Sequence, residues 1–97
     1  MRVFLVVHGF VQGVGYRHLV KRAADKYKVN GVVRNMPDGS VEVVAEADEP
    51  ALNVFLGEIN VRYLNGPNVM QMESYGEGSD KFPKGVEIGE GFFVVND

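Results

Sequence analysis

No cysteine occurs among the 97 residues, which excludes disulfides, zinc knuckles, CxxC redox chemistry and thiol nucleophiles together. Long apolar runs are missing as well. The opening run Val3-Phe4-Leu5-Val6-Val7 stops at His8, too short to span a bilayer or to act as the apolar region of a secretory signal. There is no internal repeat, no low-complexity tract and no linker between two globular halves. What is present is an ordinary globular mixture, 45% apolar, 24% charged and 10% aromatic, which argues against disorder, a coiled coil or a collagen-like chain. The expectation is a single domain over residues 1–97 with one hydrophobic core, a soluble cytoplasmic monomer without membrane attachment.

The net charge of −3 hides an asymmetry. Residues 1–28 carry six basic side chains against Asp25, and the remainder carries four against twelve, so the total splits into +5 and −8. A small anion would be favoured near the N-terminal third, whereas a long polyanion would meet repulsion elsewhere on so small a domain. A solvated helix face accounts for the same basic cluster.

Residues 2–7 are β-branched and aromatic with apolar side chains at both parities, the pattern of a central strand covered on both faces, which Gly9 ends. Tyr16, Leu19, Val20, Ala23, Ala24 and Tyr27 then recur at helical spacing, with His18, Lys21, Arg22, Asp25 and Lys26 on the other side. Between 31 and 47 two strand-like runs flank Met36-Pro37-Asp38-Gly39, whose Pro-Asp-Gly favours a tight turn. In the second arm Val41, Val43, Ala45 and Ala47 alternate with Ser40, Glu42, Val44 and Glu46, predicting one buried and one wet face. Asp48 is a candidate N-cap, Pro50 suits a first turn, and Leu52, Phe55, Leu56, Ile59 and Tyr63 form the stripe of a second helix. Residues 69–75 read as strand, 76–91 as a glycine-rich excursion and 92–95 as a last short strand. This order predicts an α+β, ferredoxin-like (split βαβ) fold, an antiparallel sheet of four to five strands with two helices on one face. Such a fold implies no activity by itself.

The chemistry-bearing segment is Gly9-Phe10-Val11-Gln12-Gly13-Val14-Gly15-Tyr16-Arg17, between the first strand and the first helix. Glycines without Cβ atoms let consecutive backbone N–H groups turn inward, and a helix N-terminus behind them adds partial positive charge, a cradle for phosphate. Arg17 would add a planar fork matching phosphate oxygens. A tight strand-to-helix turn with an exposed arginine explains the same residues. The segment has neither a Gly-Lys-Ser/Thr ending nor GxGxxG spacing. Asn35, in a strand otherwise made of Val32, Val33 and Met36, needs a partner, unless it serves only to form the turn. His8 and His18 are ten residues apart with no carboxylate between them, which matches no common metal-ligand spacing. No metal site is assigned.

Val-x-Gly-x-Val-Gln-Gly-Val-x-Tyr-Arg from Val7 to Arg17, followed by Asn-x-x-Asp-Gly-x-Val-Glu from Asn35 to Glu42, resembles the acylphosphatase family. The resemblance is close over roughly the first fifty residues and extends in element order to the whole chain. It implies the ferredoxin-like fold and hydrolysis of acyl phosphates to a carboxylate and inorganic phosphate, with no metal or organic cofactor. By the same resemblance Val11, Gln12, Gly13, Val14, Gly15, Tyr16 and Arg17 bind the phosphate, and Asn35 places the attacking water. Two departures are visible: Val32 stands where the family often has an aromatic, and residues 76–91 are longer than a simple link. Neither touches the motif, and no site residue beyond Glu42 is implied. The chemistry needs no strong acid, because a carboxylate whose conjugate acid has a pKa of about 4 to 5 leaves unaided at neutral pH.

Three other readings stand beside this one. A module that binds phosphate or acyl phosphate without turnover needs the loop and Arg17 but has no use for a water-positioning Asn35. The chain also resembles the acylphosphatase-like segment of a hydrogenase-maturation carbamoyltransferase, although zinc fingers are absent. An RNA-binding ferredoxin-like domain would put stacking aromatics where Val41-Glu42-Val43-Val44 stands, so no nucleic-acid partner is expected.

Overall fold

The computed structural model describes residues 1–96. Seven elements follow one another: β1 (Arg2–Phe10), α1 (Tyr16–Tyr27), β2 (Asn30–Asn35), β3 (Val41–Glu46), α2 (Glu49–Ile59), β4 (Asn68–Gly76) and β5 (Phe92–Val94). The strands form one sheet in the order β4-β1-β3-β2-β5, and both helices pack on it in a ferredoxin-like arrangement.

Alternation along the strands decides what the helices cover. Val3, Leu5 and Val7 of β1, Val33 of β2, and Val41, Val43 and Ala45 of β3 join Val20, Ala23 and Ala24 of α1 and Leu52, Phe55 and Ile59 of α2 in one buried cluster. Phe4 faces away from it and stacks on Tyr75 of β4 with ring centroids 6.1 Å apart. The two apolar parities of β1 therefore serve two sides of the sheet, as expected of an interior strand.

The turn between β2 and β3 closes through Met36 N donating to Ser40 O and Gly39 N donating to Met36 O, with Gly39 at φ 93. Asp38 Oδ1 accepts from both the N–H and the hydroxyl of Ser40, a local bond that fixes the turn. Ser40 and Val44, both expected on the wet face, are instead buried. At α2 the Asp48 side chain accepts from Ala51 N at 3.0 Å, the expected N-cap.

Four features depart from the sequence expectations. First, β1 does not end at Gly9 but runs on to Phe10 across a register shift between His8 and Gly9. Gly9 has φ 135, and a Cβ there would run into the Asn68 carbonyl, so this glycine permits close approach of two strands and takes no part in the loop. Second, α2 stops at Ile59 and leaves Tyr63 outside it, because Val61 and Tyr63 exchange backbone bonds with Val69 and Pro67 instead of continuing the helix. Third, β1–β4 are joined antiparallel, but β5 lies parallel to β2, so the sheet is mixed. Strand β4 is at one edge and β5 at the other. Strand β4 finishes and β5 begins at the same end of the sheet, and entering from that end sets the direction of β5. Fourth, that segment is not loose: Arg2 Nη1 donates to Val86 O, Gly31 N to Gly91 O, and Gly91 N to Asn30 Oδ1.

Candidate active site

Strands β1, β2 and β5 finish at the same end of the sheet, where α1 begins. The connection from β1 to α1, residues 11–15, turns through Gly13 at φ 76 and Gly15 at φ 79. A Cβ at either glycine would meet nothing within 4 Å, so backbone conformation, not space, demands glycine here. Gly15 is the N-cap of α1 and supplies no side-chain bond, which leaves the helix's first N–H groups directed at the loop. Tyr16 anchors this end: its ring is buried and its hydroxyl donates to Ile59 O at 2.8 Å. Burial pushes the phenol well above the ordinary tyrosine range.

Val11, Gly13, Gly15, Tyr16, Arg17, His18 and Asn35 line a half-open depression of about 120 Å³. That space admits a small ligand such as a tetrahedral oxyanion. Arg17 sits at its wall, and Nη1 donates to the carbonyl of Val95, just beyond β5. Asn35, the last residue of β2, lines the same depression, and its Oδ1 is buried with no hydrogen-bond partner, the single side-chain atom of that kind among the described residues. A buried acceptor left unpaired costs about 1–3 kcal/mol, so this atom is set to accept a hydrogen bond from whatever enters.

Not all the motif residues have side chains there. Val14 packs against the core, and the Gln12 side chain leaves the loop for the hairpin, where Nε2 meets Met36 O and Ser40 O. Neither lines the depression. His18 does, although its place on the polar side of the helix pattern carried no role in the sequence reading. Its position in the first turn, beside Arg17 at a helix end facing a loop, is the signal that could have found it. His8 stands apart, on the far face of the sheet, with Nε2 3.3 Å from Glu73 Oε2. Glu42 pairs with Arg34 and Glu46 with Arg2, so both are strand-face ion pairs. Among the described residues no three His, Cys, Asp or Glu side chains assemble into a metal-ligand set, and no helix is long and apolar enough to cross a membrane.

Comparison with known proteins gives a consistent relationship. A family-wide sequence model described as acylphosphatase matches residues 3–88. An acylphosphatase of Thermotoga petrophila is 44% identical over 82 residues, covering 78% of this chain and 87% of that protein. One from Listeria welshimeri is 54% identical over 55 residues, 57% of this chain, and the match spans 59% of that relative's length. In three dimensions the crystal structure of acylphosphatase from Bacillus subtilis superposes with a TM-score of 0.78 at 31% identity, covering 98% of both chains.

Proposed function

The chain belongs to the acylphosphatase family, and from that premise we propose that it hydrolyses acyl phosphates to a carboxylate and inorganic phosphate, as a cytoplasmic monomer without a nucleic-acid partner. The observation that carries this reading is that Arg17, the glycine loop and the unpartnered Asn35 Oδ1 meet at one small depression at the N-terminus of α1.

In the proposed mechanism the phosphoryl group sits against the backbone N–H groups of residues 11–17, at the N-terminus of α1, and takes hydrogen bonds from the Arg17 guanidinium. The Val95 carbonyl accepts from Arg17 Nη1 and so helps to hold the guanidinium at the wall of the depression. Asn35 Oδ1 accepts one hydrogen of a water and turns its lone pair toward phosphorus. The bond between phosphorus and the acyl oxygen breaks as the water oxygen bonds to phosphorus, and the departing carboxylate keeps the electron pair. The water's second proton passes to a phosphate oxygen. The transition state is loose, with charge on the equatorial oxygens, so oriented N–H groups and an arginine provide most of the stabilisation required. This route calls for no metal, organic cofactor or protein nucleophile.

The test is hydrolysis of benzoyl phosphate with a chelator present, for the wild type beside Arg17→Lys and Asn35→Ala. Chelator-resistant turnover is expected, with Arg17→Lys reducing it on the order of 10³- to 10⁵-fold. Asn35→Ala should cut turnover to a small but measurable residual rate while inorganic phosphate still protects the variant against thermal unfolding. A wild type at the buffer baseline that phosphate nevertheless protects would replace the enzyme with a binding module.

A further inference from the structure

Gln12 lies in the middle of the loop, yet its side chain turns away from the depression. Both hydrogens of Nε2 are donated, to Met36 O and to Ser40 O, each at 2.8 Å. Those two carbonyls bracket the hairpin turn. Met36 follows Asn35 directly, and Ser40 precedes Val41, the residue opposite Asn35 in the β2–β3 register. One primary amide thus ties the loop to both strands at the level of Asn35. Among the described residues it forms the only side-chain hydrogen bonds between loop 11–15 and the hairpin.

We propose that Gln12 is a positioning residue: its amide is a two-pronged clamp that sets the distance between the phosphate cradle and Asn35, and so the placement of the water relative to phosphorus. This inference rests on the proposed function, in which the cradle holds phosphate and Asn35 holds the water. The chemistry of the clamp is restrictive. Two donors on one neutral nitrogen at the end of a two-carbon stem are a glutamine's alone. Asparagine is one methylene shorter, and a glutamate carboxylate would set acceptors against carbonyls. The clamp acts on geometry more than on folding, because Met36 O also accepts from Gly39 N and Ser40 O from Met36 N, so losing the amide orphans neither carbonyl. Displacement by about 1 Å of a group that orients a reactant can cost about 10²-fold in rate.

The experiment compares Gln12→Met, which keeps side-chain volume and removes both donors, with wild type, in chains that do and do not also carry Asn35→Ala. Benzoyl phosphate kinetics and inorganic phosphate binding by calorimetry are the readouts. With Asn35 present, Gln12→Met should lower kcat about 10- to 100-fold and leave phosphate affinity in place. With Asn35→Ala, the same change should alter residual kcat by less than about twofold, since the two residues act as one unit. An unchanged kcat in Gln12→Met overturns the clamp, as does an equal loss in both backgrounds or a loss of phosphate binding that matches the loss of rate. Gln12→Glu is the second variant. Its carboxyl regains one donor only when protonated, so its kcat relative to wild type should climb as pH falls toward about 4 to 5, and a flat ratio counts against the clamp. A wild type that hydrolyses no benzoyl phosphate overturns the function and the clamp with it, whereas a hydrolysing wild type with an unaffected Gln12→Met overturns the clamp alone.

Discussion

Asn35 Oδ1 and the Tyr16 hydroxyl are both buried polar groups, but they stand in opposite relation to stability. The Tyr16 hydroxyl has its partner in Ile59 O, while Asn35 Oδ1 has none among the described residues. Replacing Asn35 by Leu, similar in size and without the unpaired acceptor, should raise the urea-unfolding free energy by about 1 kcal/mol or more while abolishing hydrolysis. A loss of stability in that variant would mean that the amide is structurally paired. Tyr16→Phe should do the reverse, costing about 1 kcal/mol at neutral pH with little change in kcat for the folded protein. Its pH dependence follows from the sign of the shift. Because burial raises the folded phenol above the unfolded value of about 10, the neutral form is favoured in the native state. That stabilisation is complete below pH about 10 and is lost as pH rises toward the folded value. Alkaline unfolding followed by circular dichroism should therefore be steeper above pH about 10 in wild type than in Tyr16→Phe.

Among the elements, the glycines separate into two kinds. Gly9 in β1 and Gly31 in β2 combine positive φ with a neighbouring carbonyl, of Asn68 and of Val44, that a Cβ would strike. Gly13 and Gly15 have positive φ and open space. Alanine at Gly9 or Gly31 should cost on the order of 3 kcal/mol or more, since strain and collision add, whereas alanine at Gly13 or Gly15 should cost about 1–2 kcal/mol, the left-handed penalty alone. The order in hydrolysis should be inverted. The loop variants, which aim their N–H groups at the ligand, should lose the most kcat/KM when assayed as folded protein. Urea titration and kinetics on the same four variants check both orders. The spacing of the glycines does not distinguish the two kinds, because whether a glycine faces a neighbouring strand or open space depends on pairing partners distant in the chain.

Across the whole molecule, the terminal strand connects core and site. Phe92 is buried against Phe55 with centroids 6.1 Å apart, Lys21 Nζ of α1 donates to its carbonyl, and three residues later Val95 O receives Arg17. Phe92→Ala should cost about 3–5 kcal/mol in unfolding free energy and weaken phosphate binding in the folded fraction, because β5 then holds Val95 less firmly against Arg17. Calorimetric titration with phosphate, well below the variant's melting temperature, is the measurement, and unchanged affinity would show that Arg17 needs no support from β5. The basic N-terminal third is also less free than its charge count implies, since Lys21 pairs with Asp25 and Lys26 with Glu58.

Local structure was legible from the chain alone: helical spacing in α1, the Asp48 cap, the Pro-Asp-Gly turn, and a tight turn at Gly13 and Gly15 before α1. These signals lie within a few residues of one another, where steric and hydrogen-bonding rules act directly. The extension of β1 past Gly9, the end of α2 at Ile59, the parallel direction of β5, the place of His18 at the depression and the bond from Arg17 to Val95 were decided by tertiary structure. So was the contact of Gln12 with a turn 24 and 28 residues away. Each depends on a partner brought in from elsewhere in the sequence, and an amide's two donors or a glycine's missing Cβ specify a need without naming the atom that will meet it.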